Sequence, residues 1–265
     1  LLTIAPTVSF SSTISGTEVS VSNFQTSSES SDVTGNLYDG TDSDGTADEL
    51  QTVYTKLTVT NESDSSVTLN QYDTASQTLT GLYGTLTIHG DGSYSYALNS
   101  NINVADMTQK EMFSYTLTAE DGSTTSKANL TINLHPTITG TSQADTTGGT
   151  AYDDTFHLEG GADTVVYKVL SDDNTGGNGS DTWDDFSVSE GDHIDLDALL
   201  VGWDGKESSL GNYVSVTHTD SGNTVVSIDR DGSGSAYQST TLVTLENVNA
   251  TMDEILHHSS TDNPS

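Results

Sequence analysis

The residues with the clearest chemistry in this sequence are aspartates that stand next to glycine in short segments. Such segments occur at Asp42-Ser43-Asp44-Gly45, Asp91-Gly92, Asp121-Gly122 and Asp229-Arg230-Asp231-Gly232. Hard cations such as Ca²⁺ take several carboxylate and carbonyl oxygens, and glycine lets a loop wrap closely enough to supply them. The pattern therefore indicates calcium binding. The alternative is an acidic surface with ordinary Asp-Gly turns, in which acids would be spread along the chain.

The most specific segment is Gly176-Gly177-Asn178-Gly179-Ser180-Asp181-Thr182-Trp183-Asp184. It fits the calcium-binding nonapeptide G-G-x-G-x-D-x-U-x at every fixed position, with Trp183 as the large apolar residue. In this pattern the glycines allow a tight turn whose carbonyl oxygens face the ion, and the aspartate adds charge. A calcium site is therefore predicted at Gly176, Gly177, Gly179 and Asp181.

The nine-residue spacing extends upstream of this segment. Counting back in nines from Asp181 reaches three further aspartates, Asp172, Asp163 and Asp154. The residue two positions beyond each aspartate is apolar (Phe156, Val165 and Trp183), except that Asn174 follows Asp172. We therefore predict one intact calcium-binding repeat and three degenerate ones. Aspartate-rich turns without a metal ion remain the alternative.

Composition limits the classes of protein that this chain can belong to. Its 265 residues carry 6 Lys+Arg against 39 Asp+Glu, a formal net charge of −33. Such a chain repels nucleic acid and anionic membrane surfaces, so neither is an expected partner. The sequence has no cysteine, so disulfides are excluded, and bound metal is another way to stabilise a secreted chain.

Other sequence features argue against a membrane protein and against an enzyme. No apolar run approaches the roughly 18 residues that span a bilayer, so no membrane span is expected. The first residues lack the pattern of a signal peptide, and we expect the sequence to be a cut into a longer chain. Neither H-E-x-x-H nor G-x-S-x-G occurs, so no catalytic residue is assigned and no enzymatic activity is predicted.

Alternating apolar and polar residues predict an all-β fold. Leu86 and Ile88 alternate before a turn at 89–92, and Tyr94, Tyr96 and Leu98 alternate after it, which predicts a hairpin. A second hairpin is predicted around a turn at 120–123, between strands that contain Phe113 to Ala119 and Ala128 to Leu134. Strands are also predicted at 213–216, 225–228 and 241–245, and a short helix at 252–257. Short strands at this spacing are typical of an antiparallel sandwich in the first part of the chain.

These patterns divide the chain into four segments. Residues 1–32 are predicted to be a linker or the end of a preceding repeat, and residues 33–135 a β-sandwich. Residues 136–147, which are rich in Thr, Gly and Ser, are predicted to be a second linker. Residues 148–265 are predicted to form an Asp/Gly-rich domain with flanking β-strands.

The last segment resembles the C-terminal target domain of RTX adhesins, which are secreted by type I systems. The residues that carry the resemblance are the nonapeptide, Asp163 to Lys168, Asp192 to Leu200, Val225 to Gly232 and Leu242 to Val248. The resemblance implies a calcium-binding parallel β-roll and adds Asp184, Asp192, Asp229 and Asp231 to the expected calcium ligands. It also implies an export signal near the C-terminus, read by an ABC transporter.

The first domain resembles a VCBS repeat, a cadherin-like β-sandwich that occurs in tandem in bacterial adhesins. The resemblance rests on the segments 35–45, 81–86, 91–96 and 113–122. It implies calcium near Asp39, Asp42, Asp44 and Asp121, whereas Asp91 is explained as a hairpin-turn residue.

Together the two resemblances imply the calcium-dependent C-terminal region of a large surface adhesin of a Gram-negative bacterium. Such a region would act as a spacer and an export module in cell adhesion and biofilm formation, with ligands among host, biofilm or surface glycans and proteins. Two alternatives stay open. One is the tail of an RTX enzyme, and the other is a calcium-dependent module that binds sugars or peptides.

Overall fold

The computed structural model describes residues 3–4, 7–14, 21–25, 32–37, 54–99 and 102–256. Its strands are β1 (Thr3–Ile4), β2 (Thr7–Ile14), β3 (Val21–Gln25), β4 (Asp32–Asn36), β5 (Tyr54–Thr60), β6 (Ser66–Asn70), β7 (Gln77–Thr80), β8 (Gly84–Ile88), β9 (Ser93–Leu98), β10 (Glu111–Ala119), β11 (Thr125–Thr141), β12 (Thr146–Thr147), β13 (Thr155–Glu159), β14 (Thr164–Val166), β15 (Asp181–Trp183), β16 (His193–Asp195), β17 (Val214–His218), β18 (Thr224–Ile228) and β19 (Thr240–Leu245). Short 3₁₀ helices lie at Val104–Asp106 and Asp197–Leu199, and short α-helices at α1 (Glu207–Leu210) and α2 (Met252–Ile255). The predicted all-β class is confirmed.

The chain divides into two compact units. Unit 1 comprises Leu1–Val8, Thr26–Ile102 and Lys110–Leu134, and unit 2 comprises Ser9–Gln25, Asn103–Gln109 and His135–Ser265. Residues 125–134 of β11 thus belong to unit 1 and residues 135–141 to unit 2. The segment 1–32, predicted to be a linker or the end of a repeat, contains β1, β2 and β3.

Unit 1 contains two antiparallel sheets. One has the strand order β4-β9-β8-β7, and the other contains β11, β10, β5 and β6, with β1 parallel to β11. Both predicted hairpins are confirmed, because Leu86 pairs with Tyr96 in β8–β9 and Phe113 pairs with Leu130 in β10–β11. The apolar faces of both sheets are buried, and Tyr96 contacts Phe113 with ring centroids 6.3 Å apart.

A buried carboxylate also joins the strands of unit 1. Glu111 is 1 % exposed, and its side chain accepts hydrogen bonds from the amides of Leu82 and Tyr83 at 3.0 and 2.8 Å. The hydroxyl of Tyr96 donates a third hydrogen bond to Glu111, at 2.7 Å. A Cβ atom at Gly81 would lie 2.4 Å from this carboxylate, so glycine is needed for the close approach.

The substitution Glu111→Ala is expected to destabilise unit 1 by roughly 2–5 kcal/mol, because it leaves buried donors without an acceptor. The measurement is urea unfolding followed by hydrogen-exchange mass spectrometry of residues 84–98. Glu120→Ala, at an exposed turn position, is the matched control, with an expected change within about 0.5 kcal/mol. Equal stability of the two variants would show that Glu111 does not hold the strands together.

Unit 2 contains two sheets of parallel strands, and the chain alternates between them. The first contains the end of β11 followed by β13, β15 and β19, and the second contains β12, β14 and β16. Antiparallel β18 and β17 extend the first sheet beyond β19. The predicted strands at 213–216, 225–228 and 241–245 correspond to β17, β18 and β19, and the short helix corresponds to α2.

The nine-residue spacing of the sequence underlies this alternation. Thr137 pairs with Thr155 in the first sheet and Thr146 pairs with Thr164 in the second, so one complete coil spans two nonapeptides. The predicted inward residues Phe156, Val165 and Trp183 are all fully buried. They belong to ladders of apolar side chains that continue from one coil to the next, and one of these ladders pairs Ile138, Phe156, Trp183 and Leu245.

Residues 136–147 differ from the predicted linker. They contain the end of β11 and all of β12, and Ile138, Asp145 and Thr147 are buried. Thr137, Thr139 and Thr141 alternate with buried residues in β11. Threonine is β-branched and suits a pleated strand as well as a loop, so a Thr-rich composition does not by itself distinguish the two.

Candidate functional site: two rows of buried aspartates

The coils of unit 2 place aspartates from successive turns of the chain next to one another. Two rows result, which we name the Asp145 row (Asp145, Asp163 and Asp192) and the Asp154 row (Asp154 and Asp181). All five residues are at most 3 % exposed. Buried carboxylates are rare unless they are paired or bind a metal ion, so both rows are candidates for a functional site.

The Asp145 row is held by backbone amides. Asp163 Oδ1 accepts the amide of Asp145 at 2.7 Å, and Asp192 Oδ1 accepts the amide of Asp163 at 2.9 Å. Each carboxylate thus receives the amide of the corresponding residue in the preceding coil. Asp145 Oδ2 accepts the amide of Thr141 at 2.6 Å, and Asp192 Oδ2 accepts the amide of Ser187 at 2.8 Å.

The Asp154 row has the same arrangement. Asp181 Oδ1 accepts the amide of Asp154 at 2.8 Å, and Asp154 Oδ2 accepts the amide of Thr150 at 2.6 Å. The hydroxyl of buried Tyr167 donates to Asp181 Oδ2 at 2.8 Å. A Cβ atom at Gly149 would lie 2.7 Å from Asp154 Oδ2 and 3.5 Å from Asp181 Oδ2, so both oxygens lie beside this glycine.

Burial makes ionisation of four of these carboxylates, Asp154, Asp163, Asp181 and Asp192, less favourable. It raises the pKa of Asp154 to about 7 and the pKa of Asp163 to about 6. Burial, together with the neighbouring charge of Asp154, raises the pKa of Asp181 well above its ordinary value. The pKa of Asp192 is raised as well, again chiefly by burial. Protonation of Asp154, Asp163, Asp181 and Asp192 is therefore easier than for exposed aspartates, and a cation that compensates their charge would favour the ionised form.

The side-chain atoms of the two rows are of the type that binds a hard cation. All side-chain ligand atoms that the rows offer are carboxylate oxygens, which is the ligand type that Ca²⁺ prefers. Asp145 Oδ1 is buried and has no hydrogen-bond partner. Among the described residues, none of the five aspartates forms an ion pair with a basic side chain. Among the described residues, the charge of an ionised carboxylate in either row is therefore not balanced by a basic side chain.

The glycines of the nonapeptide have the conformations that its turn requires. Gly176, Gly177 and Gly179 have φ angles of 68°, 87° and 75°, a region that favours glycine. A Cβ atom at Gly179 would lie 2.6 Å from the carbonyl oxygen of Tyr152 in the preceding coil. The carbonyl oxygen of Gly176 was predicted to face an ion. In the structure it accepts hydrogen bonds from the amides of Leu170 and Ser171.

Asp172 lies outside both rows, although it belongs to the nine-residue register. Asp172 lies in the coil that leads from β13 and β14 to β15 and β16, in which Thr155 pairs with Thr182 and Thr164 with His193. This coil is longer than the preceding one by one nonapeptide in the first sheet and by slightly more in the second. The additional nonapeptide lies between β14 and β15, and the side chain of Asp172 is 84 % exposed there. As a result, Asp181 follows Asp154 in space, and Asp172 is not placed between them.

A third cluster lies at the surface of the first parallel sheet. His157 Nδ1 lies 2.8 Å from Asp184 Oδ1 and 3.5 Å from Asp185 Oδ2, and the three ligand atoms lie within 4.8 Å of one another. The group could hold a metal ion, and its mixed nitrogen and oxygen ligands would suit a d-block ion. The hydrogen bond to Asp184 raises the pKa of His157. Asp185 also accepts the amides of Leu158 and Glu159.

The remaining predicted calcium ligands differ in their surroundings. Asp229 Oδ1 is buried without a hydrogen-bond partner. The pKa of Asp229 is raised, mainly by burial and to a smaller extent by the neighbouring carboxylate of Asp231. Asp231 accepts the amides of Ala236 and Tyr237. Asp121 closes the exposed β10–β11 turn, where hydrogen bonds from Thr124 hold its pKa well below the ordinary range.

Asp121 therefore has the local role that Asp91 has in the β8–β9 turn, where the amide and hydroxyl of Ser93 donate to Asp91. Asp39, Asp42 and Asp44 lie outside the described residues.

Sequence reasoning did not include Asp145 or the partners of Asp184. Asp145 lies nine residues before Asp154, so the same register would have reached it. Its repeat lacks the complete glycine turn, and polar Thr147 stands where the repeats of Asp154, Asp163 and Asp181 have an apolar residue. His157 and Asp184 are distant in the sequence and meet only because β13 and β15 are parallel neighbours.

The substitution Asp181→Asn is expected to lower calcium affinity by about tenfold or more, because it removes the charge of one carboxylate from a buried oxygen site. Asp172→Asn is the matched control, since the same charge is removed from an exposed side chain. Isothermal titration calorimetry with calcium measures both. Equal affinities of the two variants and the unchanged protein would contradict the assignment of Asp181.

No protein-family model matches the chain, and no curated protein matches it. Within the part of the chain that the structure describes, no helix has both the length and the apolar character needed to cross a bilayer. What bears on function is therefore the chemistry of the described side chains, above all the two rows of aspartates.

Proposed function

We propose that unit 2 is a calcium-dependent β-roll whose folding requires the ion. The observation that carries this proposal is the burial of five aspartates in two rows without a basic partner among the described residues. Two further observations support it. The glycines of the intact nonapeptide have positive φ angles, and the coil from Thr137 to Thr155 is two nonapeptides long.

Calcium would be held by the carboxylates of the Asp145 row and the Asp154 row, and its charge would replace the protons that burial otherwise favours. The residues of this chain supply the rest. Parallel pairing brings the aspartates of successive coils together, and amides and the hydroxyl of Tyr167 orient the carboxylates. Because the acids lie on different coils, cation binding would favour the coiled state over the unfolded chain.

We further propose that the chain is the C-terminal region of a secreted surface adhesin, with unit 1 as a cadherin-like spacer. The two antiparallel sheets of unit 1, with their buried apolar faces, support this part of the proposal. The motif resemblances supply the adhesin class, the cell-surface location and a type I ABC transporter as the export partner.

A calcium-dependent fold suits export through such a transporter. The chain must pass the transporter unfolded, and cytosolic calcium is too low to fill sites with dissociation constants of about 10⁻⁴–10⁻³ M. Extracellular calcium fills sites of this strength. The absence of cysteine also prevents crosslinks that would hold the chain folded before export.

Deletion of residues 257–265 tests the export part of this proposal. The resemblance places the signal in the final residues, and a longer deletion from Ala250 would also remove buried Ala250, Ile255 and Leu256. We expect the short deletion to keep a reporter fusion inside cells that carry the matching transporter, with calcium binding unchanged. Normal secretion of this variant would place the signal elsewhere.

A further inference from the structure

Arg230 is the only arginine of the sequence, and its side chain is 4 % exposed. A buried guanidinium needs compensating acceptors, because an uncompensated buried charge is strongly destabilising. In this chain two of the acceptor residues, Asp172 and Asp173, lie in the segment between β14 and β15, and the third is Leu199.

The partners of Arg230 are mainly backbone carbonyl oxygens. Nε donates to the carbonyl oxygen of Leu199 at 3.1 Å, and Nη1 donates to that of Asp173 at 2.8 Å. Nη1 also lies 3.5 Å from Asp172 Oδ1. The ring of Tyr237 covers the guanidinium, with its centroid 4.4 Å away, a favourable cation–π arrangement.

Asp172 and Asp173, which supply the acceptors of Nη1, belong to a closed turn that extends from Leu170 to Gly177. The amides of Leu170 and Ser171 donate to the carbonyl oxygen of Gly176. Asp173 Oδ1 accepts the amide of Gly177 at 2.7 Å and the amide of Thr175 at 2.9 Å. This turn leads directly into the glycines of the intact nonapeptide.

Two more contacts tie the turn to the segment after Arg230. The hydroxyl of Tyr237 donates to Asp172 Oδ1, and the amide of Gln238 donates to Asn174 Oδ1 at 3.0 Å. Asn174 occupies the repeat position that is apolar after Asp154, Asp163 and Asp181. Its polar side chain connects the turn to Gln238.

We propose that the guanidinium of Arg230 takes the place of a calcium ion in the 170–177 turn. This turn contains Asp172, the register position at which the other repeats are proposed to present an aspartate to calcium. The proposal rests on the proposed calcium function of the two rows. Carbonyl oxygens and a carboxylate around a buried positive charge form a ligand set that would also suit calcium. Because a side chain supplies the charge here, this turn takes no calcium ion of its own.

Hydrogen-exchange mass spectrometry of residues 170–177 in the full chain tests the proposal. In Arg230→Gln, exchange of this peptide in the presence of calcium is expected to accelerate by roughly tenfold or more. Arg230→Lys keeps the charge but loses the planar fork, so an intermediate acceleration is expected. Lys206→Gln, which removes an exposed positive charge from unit 2, is the matched control and should change nothing.

Calcium counting by equilibrium dialysis provides a second readout that does not depend on the folding of the arginine variants. Asp172→Asn should bind as many calcium ions as the unchanged protein. Loss of an ion in Asp172→Asn, or unchanged exchange in Arg230→Gln, would overturn the proposal. If the unchanged protein bound no calcium at all, the proposed function would fail, and the exchange of residues 170–177 in Arg230→Gln would still decide whether Arg230 orders the turn.

Discussion

Chelation of calcium near neutral pH is expected to unfold unit 2 while unit 1 stays folded. The two rows then carry buried carboxylates without a counter-ion, and the loss of bound ions removes free energy from the folded state. A site with a dissociation constant of about 10⁻⁴–10⁻³ M contributes about 1.4–2.7 kcal/mol at about 10 mM calcium. Several such sites together are comparable with the whole stability of a domain.

Tryptophan fluorescence reports this change selectively. Both tryptophans of the sequence, Trp183 and Trp203, lie in unit 2, and Trp183 is fully buried. We expect a red shift in chelator and recovery on addition of calcium. Magnesium is the control cation, because it prefers a smaller octahedral site and should not restore the signal. An identical melting temperature in chelator and in calcium would contradict the expectation.

The stability of unit 2 is expected to depend on pH in opposite directions with and without calcium. The pKa of Asp154 is raised from 3.8 to about 7 and that of Asp163 to about 6. Stabilisation by protonated, buried Asp154 and Asp163 is fully present below pH 3.8 and is lost as the pH rises through about 6–7. In chelator, unit 2 should therefore melt at a lower temperature near neutral pH than in mild acid.

Calcium reverses this dependence, because it binds the deprotonated carboxylates and competes with protons. The midpoint of a calcium titration should therefore shift to higher calcium concentration as the pH falls. Asp154→Asn provides the matched control, since it keeps the shape but cannot ionise. In chelator this variant should lose much of the dependence, which for one buried carboxyl amounts to a few kcal/mol by order of magnitude. If the stability of Asp154→Asn in chelator depended on pH as strongly as that of the unchanged protein, groups other than Asp154 would cause the dependence.

Much of the architecture could be predicted because alternation is a local signal. Leu86, Ile88, Tyr94 and Tyr96 alternate around a recognisable turn, and the structure pairs them as expected. Residues 136–147 could not be predicted in this way. There the buried positions are occupied by Gly140 and Thr147 as well as Ile138, so the strand lacks a continuous apolar face.

The aspartate rows were partly visible in the sequence. Asp154, Asp163 and Asp181 share a nine-residue register, and the structure buries all three. The register also contains Asp172, which the structure places at the surface because the coil between β14 and β15 is one repeat longer than the coil before it. Spacing along the chain does not reveal which repeats stack in space, since that depends on where strands form.

Contacts between distant segments lay beyond the sequence pattern altogether. His157 meets Asp184 across neighbouring parallel strands, and Glu111 accepts amides from a turn 28 and 29 residues away. Arg230 lies in the segment 229–232, for which the sequence pattern predicted only a calcium-binding loop. Its side chain instead reaches the carbonyl oxygen of Asp173, 57 residues upstream.

The most direct test of calcium binding by the aspartate rows is a crystal structure grown with calcium, with anomalous scattering used to locate the ions. We predict anomalous peaks within about 2.3–2.6 Å of carboxylate oxygens of the Asp145 row and the Asp154 row. Asp145 Oδ1 should be among the coordinating atoms. Crystals at millimolar-scale calcium in which both rows show only the amide hydrogen bonds, with no anomalous peak beside them, would contradict the account.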